Sequence, residues 1–241
     1  MTRESMRIAA DDDAPLRPEI ELLGELLPLD GARVLELGCG TAAMTRLIAE
    51  RYPVAGIVAT EVDTAQHAKN LAAAPIPDVS FAAGGAERID AADSTFDLVL
   101  MFKSLHHVPG ELMDAALEEV ARVLRPGGLA WVSEPVYAGP YNDIMKLFHD
   151  ERMVREQAFA AVRKVIEKGW LELVRQCFFR ASVQFTDFAE FDRRMLQVTH
   201  TEHRLDDELY ARVRSAFEAH LGPGGAEFAQ PMRVDLLRCP A

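Results

Sequence analysis

Residues 33–43, RVLELGCGTAA, constrain this chain more than any other stretch. Val34, Leu35 and Leu37 read as a buried parallel strand. Gly38 and Gly40 follow, and Ala42 and Ala43 open a helical pattern that runs through Leu47 and Ile48. A strand, a tight glycine turn and a helix start gather free backbone N–H groups at one place. The glycines let a ligand come close to that backbone. Such a turn suits a nucleotide-like ligand.

Two ligand classes compete for it. Gly38-x-Gly40-x-x-Ala43 satisfies the dinucleotide spacing, and an acid follows at Glu61. Glu36 argues against a pyrophosphate, because a carboxylate two residues before the first glycine would repel one. It suits a ligand with a positive ammonium group. The segment resembles the glycine-rich motif of class I S-adenosylmethionine-dependent methyltransferases, whose cofactor carries that group. It departs from the common G-C-G-T-G pattern at Ala42.

The 241 residues fit one α/β domain with an elaboration. A formal net charge of −12 disfavours attraction to phosphate backbones, so no nucleic-acid partner is expected. Cys39, Cys177 and Cys239 have no metal-ligand spacing, so neither a metal site nor a disulfide framework is expected. No apolar run approaches the roughly 20 residues of a membrane span. The N-terminus has no apolar signal core. The expectation is a soluble, cytoplasmic protein with no membrane partner.

In chain order, the acidic run at 11–13 lies in a polar arm, read as a tail or a lid. Residues 18–27 read as a short amphipathic helix. The segment 54–60 reads as a second buried strand, ending in Glu61-Val62-Asp63. Glu61 is the expected ribose-binding acid, and Asp63 the cap of the next helix. A short third strand covers 79–82, a fourth 96–102, and a fifth 129–133 ending at Glu134. A helix over 111–124 precedes the fifth strand. Beyond Tyr137 the periodicity predicts one long helix over about 142–174, with Tyr141, Met145, Phe148, Arg152 and Phe159 on one face. Residues 177–185 read as a possible strand. A short helix near 188–198, the segment THTEHR at 199–204, a helix over 205–221 and a final strand over 232–238 follow.

Four further motifs extend the resemblance: the acid after the second strand, the GGAE loop at 84–87, FDLVLMF with His106-His107, and LRPGG at 124–128. Gly85 stands where the family has an aspartate for the adenine amino group, so Glu87 or a backbone carbonyl must serve instead. The resemblance implies a Rossmann-like, seven-stranded, mostly parallel sheet with helices on both faces and one antiparallel strand near an edge. A helical cap follows the fifth strand. The implied layout is an N-terminal arm and helix (1–32), a cofactor-binding core (33–136), a cap and substrate region (137–205) and a C-terminal helix and edge strand (206–241).

The resemblance further implies S-adenosyl-L-methionine as cofactor and S-adenosyl-L-homocysteine as product. Glu36, Gly38, Cys39, Gly40, Glu61, Val62, Gly85, Ala86, Glu87, Phe102 and Lys103 would hold the cofactor. The implied reaction is in-line methyl transfer to an O, N, S or C nucleophile. The acidic charge and the absence of an N-P-P-Y-like motif favour a small-molecule acceptor. His106, His107 and Glu134 are the expected catalytic residues, and Tyr141, Met145, Phe148 and Arg152 the expected substrate contacts. The alternatives are an inactive cofactor-binding scaffold and, less well matched because of Glu36, a nicotinamide-dependent oxidoreductase.

Overall fold

The computed structural model describes residues 6–9, 14–197 and 205–241. The helices are α1 (Glu19–Leu26), α2 (Ala43–Arg51), α3 (Thr64–Ala72), α4 (Met113–Val123), α5 (Pro140–Met145), α6 (Arg152–Glu167), α7 (Phe188–Phe191) and α8 (Asp207–Glu218). The strands are β1 (Arg33–Leu37), β2 (Gly56–Glu61), β3 (Val79–Ala83), β4 (Phe96–Phe102), β5 (Leu124–Pro135), β6 (Glu172–Phe185), β7 (Leu221–Gly222) and β8 (Gly225–Arg238). Seven strands form one sheet in the order β3-β2-β1-β4-β5-β8-β6, and the two-residue β7 pairs only with β8. Strands β3 to β5 along that order are parallel, and β8 runs antiparallel to both β5 and β6. This is the expected mostly parallel architecture with one reversed strand near the edge.

The sheet is covered on both faces, which explains the near-continuous apolar runs in its central strands. On one side Ile20, Leu23 and Ile48 of α1 and α2 pack against Val34, Leu98 and Trp131. On the other, Ala116, Leu117 and Val120 of α4 and Ala158, Val162 and Val165 of α6 pack against Leu35, Val99 and Val132. Strand order reverses at β1/β4, because β1 pairs with β2 on one side and β4 on the other. A crevice at the C-terminal strand ends is where open α/β sheets take ligands.

The cap departs from the expected single helix. α5 ends at Met145, and α6 starts at Arg152, where the Asp150 carboxylate accepts from the Arg152 amide at 3.0 Å. The turn between the two helices resets the helical phase. The stretch predicted as helix to about 174 instead turns at Gly169 and enters β6 at Glu172. β6 and β8 are each 14 residues long and pair from Glu172↔Arg238 to Phe185↔Ala226. Their far ends carry a third apolar cluster built by Tyr141, Phe185, Phe191, Phe217 and Phe228. Phe191 and Phe217 lie 4.8 Å apart between ring centroids, and Phe185 meets Phe191 edge-on at 5.2 Å. The acidic run at 11–13 and the THTEHR segment, with His200 and His203, lie outside the described residues.

Candidate active site

The glycine turn leaves β1 with Gly38 at φ +71° and Gly40 at φ +52°, left-handed values that favour glycine. A Cβ on Gly38 would fall 2.8 Å from that of Ser104. Ser104 in turn donates to the Leu37 carbonyl at 2.7 Å, so β1 and β4 are locked together at this point. Gly40 faces open space, with no atom within 4 Å of the place a Cβ would take. Asn70 of α3 donates to the Gly40 carbonyl at 2.8 Å and fixes the turn from below. Cys39 is buried beside it, and burial pushes its thiol up to about 12, so it packs as a neutral group. Ala42 caps α2 with φ +59° and ψ +30°, a conformation that costs a non-glycine residue about 1 kcal/mol or more.

Four carboxylates lie along this edge. Glu36, 2% exposed, accepts from the Thr45 hydroxyl at 2.6 Å. Burial pushes its carboxyl up to about 7, Thr45 opposes that, and the charge of Glu19 adds to it. Glu61, at the tip of β2, accepts from the amides of Gly40 at 2.7 Å, Val62 at 2.8 Å and Asp63 at 2.9 Å. Val62 stands 67% exposed beside it, an apolar surface next to a polar anchor. Asp63 caps α3, accepting from the Ala65 and Gln66 amides. Glu19, reaching in from α1, accepts from the Trp131 indole at 3.0 Å, and burial raises its carboxyl. Nothing in the sequence marked Glu19, because it sits far from every motif and arrives only through the packing of α1.

The GGAE loop runs beside Glu61, whose carbonyl accepts from the Gly84 amide at 3.2 Å. Ala86 is buried and Glu87 half-buried. A Cβ placed on Gly85 would land on the Glu87 carboxylate. Glu87 therefore fills the space that an aspartate at 85 would take. Phe102 is buried at the tip of β4, and Lys103 is exposed with φ +54°.

The tip of β5 supplies a further buried acid. Glu134 accepts from the amides of Leu105 at 3.1 Å and His106 at 3.3 Å, and its other oxygen pairs with His106 Nδ1. It thus holds the short turn Leu105–His107 against β5. His106 is 5% exposed, and its Nε2 faces Glu151 Oε1 at 3.6 Å. Burial alone would lower its pKa, but Glu134 and Glu151 outweigh that and raise it to about 9. His107 is exposed, its ring 4.1 Å from that of His106.

The cap residues fall differently from the periodicity expectation. Tyr141 is buried in the aromatic cluster, stacked on Phe185, with its hydroxyl against the Met195 sulfur at 3.3 Å. Met145 and Phe148 pack on the same cluster. Arg152 is exposed and pairs with Glu156, not with Glu134. The arginine on the inner face is Arg155, which reaches Asn142 Oδ1 at 2.9 Å and Glu151 Oε2 at 2.5 Å. The helix break at 146–151 shifts the inner face by three residues, which a spacing counted through from Tyr141 does not show. Glu151 and Arg155 were missed for that reason.

The glycine turn thus lies between two buried carboxylates at adjacent strand tips, Glu36 on β1 and Glu61 on β2. The strand order and the glycine turn are those of a Rossmann-like domain. The methyltransferase domain family matches residues 34–128, the part of the chain that carries the glycine turn and the first four strands. It is similar to an uncharacterized methyltransferase of Mycobacterium tuberculosis, 37% identical over 114 residues, 46% of this chain and 44% of the other. It is also similar to trans-aconitate 2-methyltransferase of Streptomyces avermitilis, 35% identical over 152 residues, 58% and 54% of the two chains. The chain thus spans about half the length of the curated relatives it matches. In fold it resembles the crystal structure of a proposed methyltransferase from Bacillus halodurans, with a TM-score of 0.63, 18% identity, and 92% and 99% of the two chains covered.

Proposed function

We propose that this protein transfers a methyl group from S-adenosylmethionine to a nucleophile on a small molecule. The observation that carries the reading is the acid-rimmed glycine turn, with Glu36 and Glu61 buried at adjacent strand tips. When bound, the cofactor supplies a methyl group already activated by a sulfonium. Glu61, acceptor-only, would take the ribose hydroxyls; Glu36 would face the ammonium; and the loop at 84–87, with Glu87, would meet the adenine. Val62 would lie against the ring as an apolar cover.

The acceptor region of this reading lies between the tips of β4 and β5 and the 146–151 segment. His106, His107, Glu134 and Glu151 converge there, with the cap closing one side. The net charge of −12 supports a small acceptor over a nucleic acid. His106, held between Glu134 and Glu151, serves to orient the acceptor, and the protein's main contribution is alignment and exclusion of water. No described helix is long and apolar enough to cross a membrane. A cytoplasmic location belongs to the same proposal.

The test is a radiolabelled-methyl assay against carboxylic acids, phenols and amines, with Glu61→Ala as control. Label should pass to one class in the wild type and not in the variant. Tight cofactor binding with no label transferred to any class would count against methyl transfer.

A further inference from the structure

We propose that His106, His107 and Glu151 form a binding site for one divalent transition-metal ion of the zinc class. Each offers one ligand atom, and these atoms all lie within 4.8 Å of one another. The His106 Nε2 to Glu151 Oε1 distance of 3.6 Å is long for a hydrogen bond. It is close to the edge of about 3.4 Å expected for a tetrahedron with bonds of about 2.1 Å. The two atoms are thus spaced as neighbouring ligands of an ion are.

The surroundings have the form that metal sites take one layer out. The Nδ1 of His106 is held by the Glu134 carboxylate, which orients the ring so that Nε2 points away from it. Glu151 is fixed through its second oxygen by Arg155 at 2.5 Å. His149 Nε2 lies 3.1 Å from the same Glu151 oxygen that faces His106, and offers a further imidazole beside the site. Two imidazoles and one carboxylate suit zinc, manganese, iron or cobalt, whereas calcium and magnesium prefer all-oxygen shells. His107 is exposed, so an ion can enter from solvent on that side. Three protein ligands leave a coordination position open, at the tips of β4 and β5.

The experiment strips the full chain with chelator, then titrates it with Zn²⁺ by calorimetry and with Co²⁺ by visible absorption. One ion per chain is expected, with cobalt d–d bands of a low-coordinate site. His107→Ala and Glu151→Gln should each weaken binding at least ~10-fold, and Glu134→Gln, one layer out, by roughly 10-fold. His107 is exposed, so its variant tests the site even if the other two fold poorly. His220→Ala should change nothing. Absence of binding overturns the site. So does binding that survives His107→Ala, or that disappears only when Cys177 and Cys239 are replaced by serine. Cofactor affinity measured on the same samples separates failure of this site from failure of the methyl-transfer reading.

Discussion

The amide of Gly40 donates to Glu61 Oε2 at 2.7 Å, fixing the turn after β1 to the tip of β2. One carboxylate thus shapes the cradle and, on the proposed function, holds the ribose. Glu61→Ala should weaken S-adenosylmethionine binding by roughly 1.5–3 kcal/mol, the range for hydrogen bonds to a charged group. Asp63→Ala should cost about 1 kcal/mol of stability as a lost cap, with affinity within a few-fold of wild type. Thermal melts and calorimetry on both variants check this, and the reverse pattern would move the ribose to Asp63.

Glu36 makes both stability and affinity depend on pH. Its carboxyl titrates at about 7 in the folded chain, against about 4.3 unfolded. Between those values the folded state holds a proton that the unfolded state has lost. Stability therefore declines as pH rises from about 4.3 to about 7, then levels off. Cofactor affinity should move oppositely, rising through pH 7 as the carboxylate becomes available to the ammonium. Glu36→Gln should flatten both slopes. An affinity that falls with pH in the wild type would contradict the assignment.

Glu87 occupies the space above Gly85. Glu87→Ala should weaken the cofactor by roughly 10-fold, about 1.4 kcal/mol, if its carboxylate meets the adenine amino group. Gly85→Asp alone should gain little, because the new side chain meets Glu87. Gly85→Asp in the Glu87→Ala background should recover the loss. The double-variant cycle is read by calorimetry, and additive effects would show that the two positions do not share one role.

Ala42 holds a left-handed conformation at the start of α2 with no exposed surface. Ala42→Gly removes a local cost of about 1 kcal/mol but gives the unfolded chain more freedom. The expected outcome is a melting temperature equal to or a few degrees above wild type. A clear fall would mean that the Ala42 methyl group contributes packing worth more than the strain.

The central strands, the glycine turn, the positions of Glu36 and Glu61 at strand tips and the Asp63 cap were legible because each depends on neighbours in sequence. Val34 to Glu61 is one strand–turn–helix–strand unit whose periodicity fixes its faces. The strand at 177–185 and the final strand were also legible as elements, and the structure joins them in the edge pairing of β6 with β8. The cap was not legible in the same way. Its inner face is set by the break at 146–151 between α5 and α6, so Arg155 points inward and Arg152 outward. Tyr141, Met145 and Phe148 have the spacing of a pocket wall, but β6, β8, α7 and α8 together bring five more aromatic rings into their cluster. Glu19 and Glu151 gain their meaning only from tertiary packing.

The most direct measurement is calorimetric titration of the purified chain with S-adenosylmethionine, S-adenosylhomocysteine and a nicotinamide dinucleotide. The account predicts one site per chain for the first two, lost or strongly weakened in Glu61→Ala, and no binding of the dinucleotide. Binding of the dinucleotide at the glycine turn, or no heat from either adenosyl compound, would contradict it.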